Sequence, residues 1–117
     1  MSSPLCHFEL MVSNPERART FYGKVLGWSF DAASMPGYTL VDTGQDASGG
    51  IFQQPDSAPS PCTNIYFKVA DIDATLETAC SSGARILVTK TEIPGIGFFA
   101  MFTDPDGIPI GIMQPND

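Results

Sequence analysis

The sequence predicts an α+β fold: two tandem β-α-β-β-β modules forming a curved, mixed β-sheet cup, with the helices packed outside. Three observations lead there. The segment His7-Phe-Glu-Leu-Met-Val-Ser-Asn14 returns 57 residues later as Asn64-Ile-Tyr-Phe-Lys-Val-Ala-Asp71, each copy a short strand pattern running into a helix cap. Each copy is followed by one helical stripe and then three strand-like runs. A proline-rich stretch, residues 55–63, separates the halves. At 117 residues the chain is expected to be a single domain, with module one at about 5–54 and module two at about 64–114.

Residues 6–12 alternate, with Phe8, Leu10 and Val12 on a core side and His7, Glu9 and Met11 on the other. Asn14-Pro15 supplies an N-cap followed by proline at the first helical position, where its missing N–H costs nothing. Ala18, Phe21, Tyr22, Val25 and Leu26 then recur at helical spacing and predict one buried face, closed by Gly27. Strands are expected over 28–30, 38–42 and 50–54. In the second half, residues 64–69 place Ile65, Phe67 and Val69 on the core side. Asp71 caps a helix with Ile72, Leu76, Ala79 and Cys80 as its buried stripe, and Gly83 ends it. Strands follow at 84–88, 97–103 and 108–114, the last two joined by an Asp104-Pro-Asp-Gly107 turn. Residues 90–99 read as a connection, or alternatively as a loop over the cup's mouth. A cup between repeats is a natural small-molecule site, lined by the non-core positions His7, Glu9, Met11, Asn64, Tyr66 and Lys68.

Charge and composition exclude other classes. A net charge of −7 with only six Lys and Arg argues against nucleic acid and against an anionic membrane surface. Three scattered cysteines without a C-x-x-C pair argue against a disulfide framework or zinc cluster and fit a reduced, cytoplasmic setting. No apolar run approaches the ~18 residues a membrane helix needs.

The segment from His7 to Asp31, with Asn14-Pro-Glu-Arg-Ala18, Phe21-Tyr22 and Val25-Leu-Gly-Trp28, resembles the opening of the vicinal oxygen chelate superfamily. That group includes glyoxalase I, bleomycin-resistance proteins and extradiol dioxygenases. Val69-Ala-Asp-Ile-Asp73, Ser82-Gly-Ala84 and Phe102-Thr-Asp-Pro-Asp-Gly107 resemble its second module. The resemblance implies homodimers and, in the family's metal enzymes, one ligand on the first and last strand of each module. Those positions fall on His7, Gly50, Asn64 and Gly111. Only His7 is a good ligand, so no metal and no other cofactor is expected.

The candidate catalytic residues are His7, the chain's single histidine, and Glu9, one strand step away on the same face. The candidate ligand-binding residues are His7, Gly50, Phe52, Asn64, Tyr66, Gly111 and Met113. Gly50 and Gly111 are expected to open room in the floor, with Phe52 and Met113 lining it. The expected function is metal-independent binding of an apolar or aromatic small molecule. The alternatives are a lyase, isomerase or dioxygenase-like enzyme using His7 and Glu9 or an atypical metal, and a regulatory module.

Overall fold

The computed structural model describes residues 2–44, 47–55 and 62–116. Its elements run β1 (Leu5–Val12), α1 (Pro15–Leu26), β2 (Ser29–Met35), β3 (Tyr38–Asp42), β4 (Ser48–Gln53), β5 (Cys62–Lys68), α2 (Ile72–Ser81), β6 (Arg85–Ile93), β7 (Gly97–Thr103) and β8 (Pro109–Pro115). This is an α+β chain in which β-α-β-β-β occurs twice. By contact it divides into two compact units, residues 7–64 and residues 1–6 with 65–117. The first few residues therefore go with the second unit. There the Lys68 N–H donates to the Pro4 carbonyl at 2.9 Å, and the Cys6 thiol to the Tyr66 carbonyl at 3.6 Å.

In the first unit the strands lie in the order β2-β3-β4-β1. β1 and β4 run parallel, and β2, β3 and β4 are antiparallel neighbours. Phe8, Leu10 and Val12 pack onto Ala18, Val41 and Ile51, as their alternation requires. Asn14 accepts from the Arg17 N–H at 3.0 Å, and Gly27 closes the helix at φ 69°. The expected helical stripe is only half correct. Ala18 is buried and Tyr22 half-buried, but Phe21, Val25 and Leu26 are 55%, 59% and 53% exposed. Trp28, just past the helix, stacks on Tyr22 at 5.0 Å and meets Phe8 at 5.2 Å. It takes the core place that the last turn of α1 was expected to fill.

The second unit repeats the plan in the order β5-β8-β7-β6, with β5 and β8 parallel and the rest antiparallel. Its core is Val69, Ile72, Leu76, Ala100 and Ile112. Asp71 caps α2 by accepting from the Ala74 N–H at 3.2 Å. Cys80, expected on the buried stripe, is exposed, since the two turns carrying Ile72 and Leu76 already supply the helix's buried contacts. All three cysteines are free thiols.

One contact was not foreseen: the Gln114 side chain accepts from the Ile72 N–H at 2.9 Å. Pro15, opening α1, has no such N–H to satisfy. Residues 90–99 are not a loop over a mouth. They form the end of β6, a tight turn in which the Ile96 N–H donates to Ile93 at 2.9 Å, and the start of β7. The expected linker falls largely on residues 56–61, outside the described residues.

Candidate functional site

The site in the first unit is built by register. β1 and β4 pair His7 with Ser48 and Glu9 with Gly50, and β3 pairs Thr39 with Ile51 and Leu40 with Gly50. Strand alternation then sends His7 and Glu9 to the face opposite Phe8 and Leu10. Tyr38 starts on β3, with β4 between it and β1. Its ring crosses β4 because Gly50 has no side chain: a Cβ there would lie 1.8 Å from the Tyr38 Oη and 2.0 Å from its Cζ. The phenol reaches the gap between His7 and Glu9. Its hydroxyl lies 2.9 Å from His7 Nε2 and donates to Glu9 Oε2 at 2.9 Å. His7 Nδ1 lies 2.8 Å from Ser48 Oγ. Phe52 stacks beside the Tyr38 ring, centroids 5.7 Å apart and planes 18° apart.

Proton accounting orients this row. Tyr38 has one hydroxyl proton and gives it to Glu9, so its oxygen accepts from His7 Nε2–H. In a neutral imidazole Nδ1 is then an acceptor, and it takes the Ser48 proton. Burial of the ring favours that neutral form and pushes the His7 pKa below its ordinary value, while the Glu9 charge opposes the shift. All three donors point the same way: Ser48 to His7, His7 to Tyr38, Tyr38 to Glu9.

The second unit uses the same device with different chemistry. Gly111 faces Tyr66 across β5 and β8, and Met101 across β7 and β8. A Cβ on Gly111 would lie 2.3 Å from the Tyr66 ring. The Tyr66 hydroxyl reaches Met101 Sδ at 3.8 Å, and its ring meets Phe99 edge-on at 6.4 Å. Tyr66 is consequently 5% exposed. A separate hollow of about 500 Å³ lies in this unit against α2, lined by residues such as Thr75, Thr78, Phe102 and Pro105. Its one carboxylate, Asp104, is turned into its own loop, accepting from the Asp106 and Ile108 N–H groups.

Of the residues singled out from sequence, His7, Glu9, Gly50 and Phe52 come together in the first unit. Tyr66 and Gly111 touch in the second, where Met113 stands opposite Phe99 in the ladder. Asn64 is half-buried in β5. One expectation is corrected. Gly50 and Gly111 do not leave open room, because Tyr38 and Tyr66 rings fill the space above them. Sequence reading missed Tyr38 and Ser48. The sequence carries no local signal for them: the Leu40–Gly50 pairing that places a β3 aromatic within reach of a bare glycine exists only in the folded ladder.

A sequence model of the glyoxalase/bleomycin resistance protein/dioxygenase superfamily matches residues 5–112. The chain belongs to this superfamily. It is 30% identical over 110 residues to the "Putative glyoxylase CFP32" of Mycobacterium tuberculosis, and 24% identical over 125 to the anthracycline biosynthesis protein DnrV of Streptomyces peucetius. Those alignments cover 92% of this chain but 42% and 45% of the two relatives, so the chain spans less than half the length of each. Methylmalonyl-CoA epimerase from Mycobacterium tuberculosis superposes with a TM-score of 0.73 at 18% identity, over 97% of this chain and 88% of that one. A hypothetical protein of Bacillus halodurans superposes at 0.79 with 12% identity, over 100% and 97%. These likenesses establish the fold.

The residues of this superfamily member do not fit the divalent metal that some relatives hold. Two of the four corresponding positions, Gly50 and Gly111, donate nothing, and tyrosine rings occupy their space. Asn64 offers a weak neutral oxygen. No group of three His, Cys, Asp or Glu among the described residues is placed to hold an ion. No helix among the described residues is long and apolar enough to cross a membrane.

Proposed function

We propose that this chain is a metal-independent small-molecule-binding protein of the glyoxalase/bleomycin-resistance type, taking an apolar or aromatic ligand. The observation that carries the reading is the Tyr38 ring laid over Gly50 beside Phe52, with its hydroxyl fixed between His7 and Glu9. A flat aromatic surface bordered by a short polar row suits a planar ligand held by stacking and oriented by a few hydrogen bonds. The DnrV relative, named for anthracycline biosynthesis, suggests polycyclic aromatic compounds as the first set to screen. Binding raises the melting temperature by mass action. A planar aromatic is expected to do so in the wild type and to lose most of its affinity in Phe52→Ala. No stabilisation by any compound of such a series at millimolar concentration would overturn the proposal.

A second reading is favoured by one specific contact. Tyr38 joins His7 and Glu9, so an acid and a base stand on one hydrogen-bonded line. A lyase or isomerase of the kind the glyoxylase relative's name suggests would use that pair. Assay with the hemithioacetal of methylglyoxal and a thiol tests it: turnover abolished by Glu9→Gln would support catalysis, and no turnover would remove this substrate. We also take the protein to be a homodimer. The exposed Phe21, Val25 and Leu26 on α1 are consistent with a covered surface, and light scattering should return twice the 12.5 kDa chain mass.

A further inference from the structure

Alternation divides the sheet of the second unit into two faces of different character. Val69, Ala100 and Ile112 meet Ile72 and Leu76 of α2 and form the core. The opposite face carries Tyr66 over Gly111, with the Tyr66 ring meeting Phe99 and its hydroxyl reaching Met101 Sδ. One step along the same ladders, Lys68 stands opposite Met113, and Met113 opposite Phe99. A row of ammonium, thioether and aromatic ring therefore crosses β5, β8 and β7. Tyr66 is buried, Met113 and Phe99 are half-buried, and Lys68 is exposed. Lys68 is also the one charged residue in these three strands, in a chain with 13 Asp and Glu against six Lys and Arg. Among the described residues the only ion pair joins Lys90 to Asp73, so no carboxylate there is paired with the Lys68 ammonium.

We infer that this face binds a small apolar or aromatic compound carrying a carboxylate, with its body on Met113 and Phe99 and its charge on Lys68. The inference rests on the reading of the protein as a binder of apolar or aromatic compounds and adds the ligand's charge; Tyr38 and Phe52 play no part in it. A thioether beside an aromatic ring offers a polarizable surface that adapts to a flat or branched body. The ammonium donates to a carboxylate through a charge-assisted hydrogen bond, which a neutral compound of the same shape does not gain. The net charge of −7 repels anions at long range, so a preference for them has to come from a local cation. Lys68 supplies that cation at the end of the apolar row.

The test uses the intact chain and two probes of near-equal shape, 2-naphthoate and its neutral amide, 2-naphthamide. By titration calorimetry the naphthoate is expected to bind about threefold to tenfold tighter, the range that an exposed ion pair with a charge-assisted hydrogen bond supplies. Lys68→Met keeps an apolar stem at an exposed position and should bring the two probes within about twofold of each other. Lys90→Met removes a different cation, the one paired with Asp73, and should leave the preference in place. Salt at about 1 M, where charges are screened beyond about 3 Å, should shrink it in the wild type. Equal affinities in the wild type would overturn the inference, and so would a full preference surviving in Lys68→Met. A preference lost equally in Lys90→Met would overturn it too, since net charge and not Lys68 would then set it. Binding of neither probe would also overturn it, while stabilisation by neutral polycyclic aromatics would in that case leave the binding reading standing.

Discussion

Tyr38 satisfies two half-buried partners from a strand that is not their neighbour, so its hydroxyl should matter more than its exposure suggests. Tyr38→Phe keeps the ring over Gly50 and beside Phe52 but removes the hydroxyl's two hydrogen bonds, to His7 Nε2 and to Glu9 Oε2. The expected cost is about 1–3 kcal/mol of unfolding free energy, the net worth of two hydrogen bonds. Urea unfolding of the two proteins measures it, and an unchanged midpoint would mean the row contributes nothing to stability. His7 adds a pH signature. Burial holds its folded pKa below the ordinary 6.5, with Glu9 only partly offsetting this. Between the folded value and about 6.5 the unfolded chain binds more protons, so stability rises with pH in that window. It is fully present above about 6.5 and is lost as pH falls through the folded value. Unfolding measured from pH 8 to pH 5 should show this fall in the wild type and a flatter profile in His7→Gln. A steeper profile in the variant would contradict the assignment of a neutral imidazole.

Strand β4 works as a spacer, and its Gly50 is best understood as a slot. Gly50→Ala puts a methyl where the Tyr38 hydroxyl end already lies, so the ring must swing away and the row must break, although no member of the row has been changed. The variant should lose about 1–3 kcal/mol, and Gly50→Ala should cost much less in a Tyr38→Ala background, a coupling that a double-mutant cycle reads directly. Additive losses would mean the two positions do not interact. Gln114→Leu makes a parallel point in the second unit. It strands the N–H of fully buried Ile72 and should cost about 1–3 kcal/mol. The legible parts of the fold were those coded locally. Asn14-Pro15 and Asp71 announced both helices, and the alternation in β1 assigned Phe8, Leu10 and Val12 to the core. The illegible parts depend on what stands across the sheet. The periodicity of α1 cannot tell that Trp28 fills the place of its last turn, and nothing near Tyr38 tells that a residue 29 to 31 positions away is its partner. Glycine in a strand signals close approach, but not whether a ligand or a neighbouring ring makes it.

For the molecule as a whole, the decisive contrast is between a family architecture that can hold a metal and a donor set that cannot. Divalent sites of this kind need about three or four nitrogen, oxygen or sulfur donors at ~2.0–2.2 Å. The corresponding positions here offer one imidazole, one carboxamide and two glycines, and the glycine positions are covered by Tyr38 and Tyr66. The imidazole is itself engaged at both nitrogens, so binding an ion would break a hydrogen bond of the row as well as desolvate the ion. A site with micromolar affinity would add roughly 2.7 kcal/mol at a hundredfold excess of ligand over its Kd, several degrees in melting temperature for a chain of this size. The expected result is a change of under about one degree on adding Zn²⁺, Ni²⁺ or Mn²⁺ at 0.1 mM, and none on treatment with a chelator. A net charge of −7 attracts cations loosely at the surface, so His7→Ala serves as the control. A rise of several degrees in the wild type that disappears in His7→Ala would establish a metal site, and stabilisation equal in both proteins would be surface binding alone.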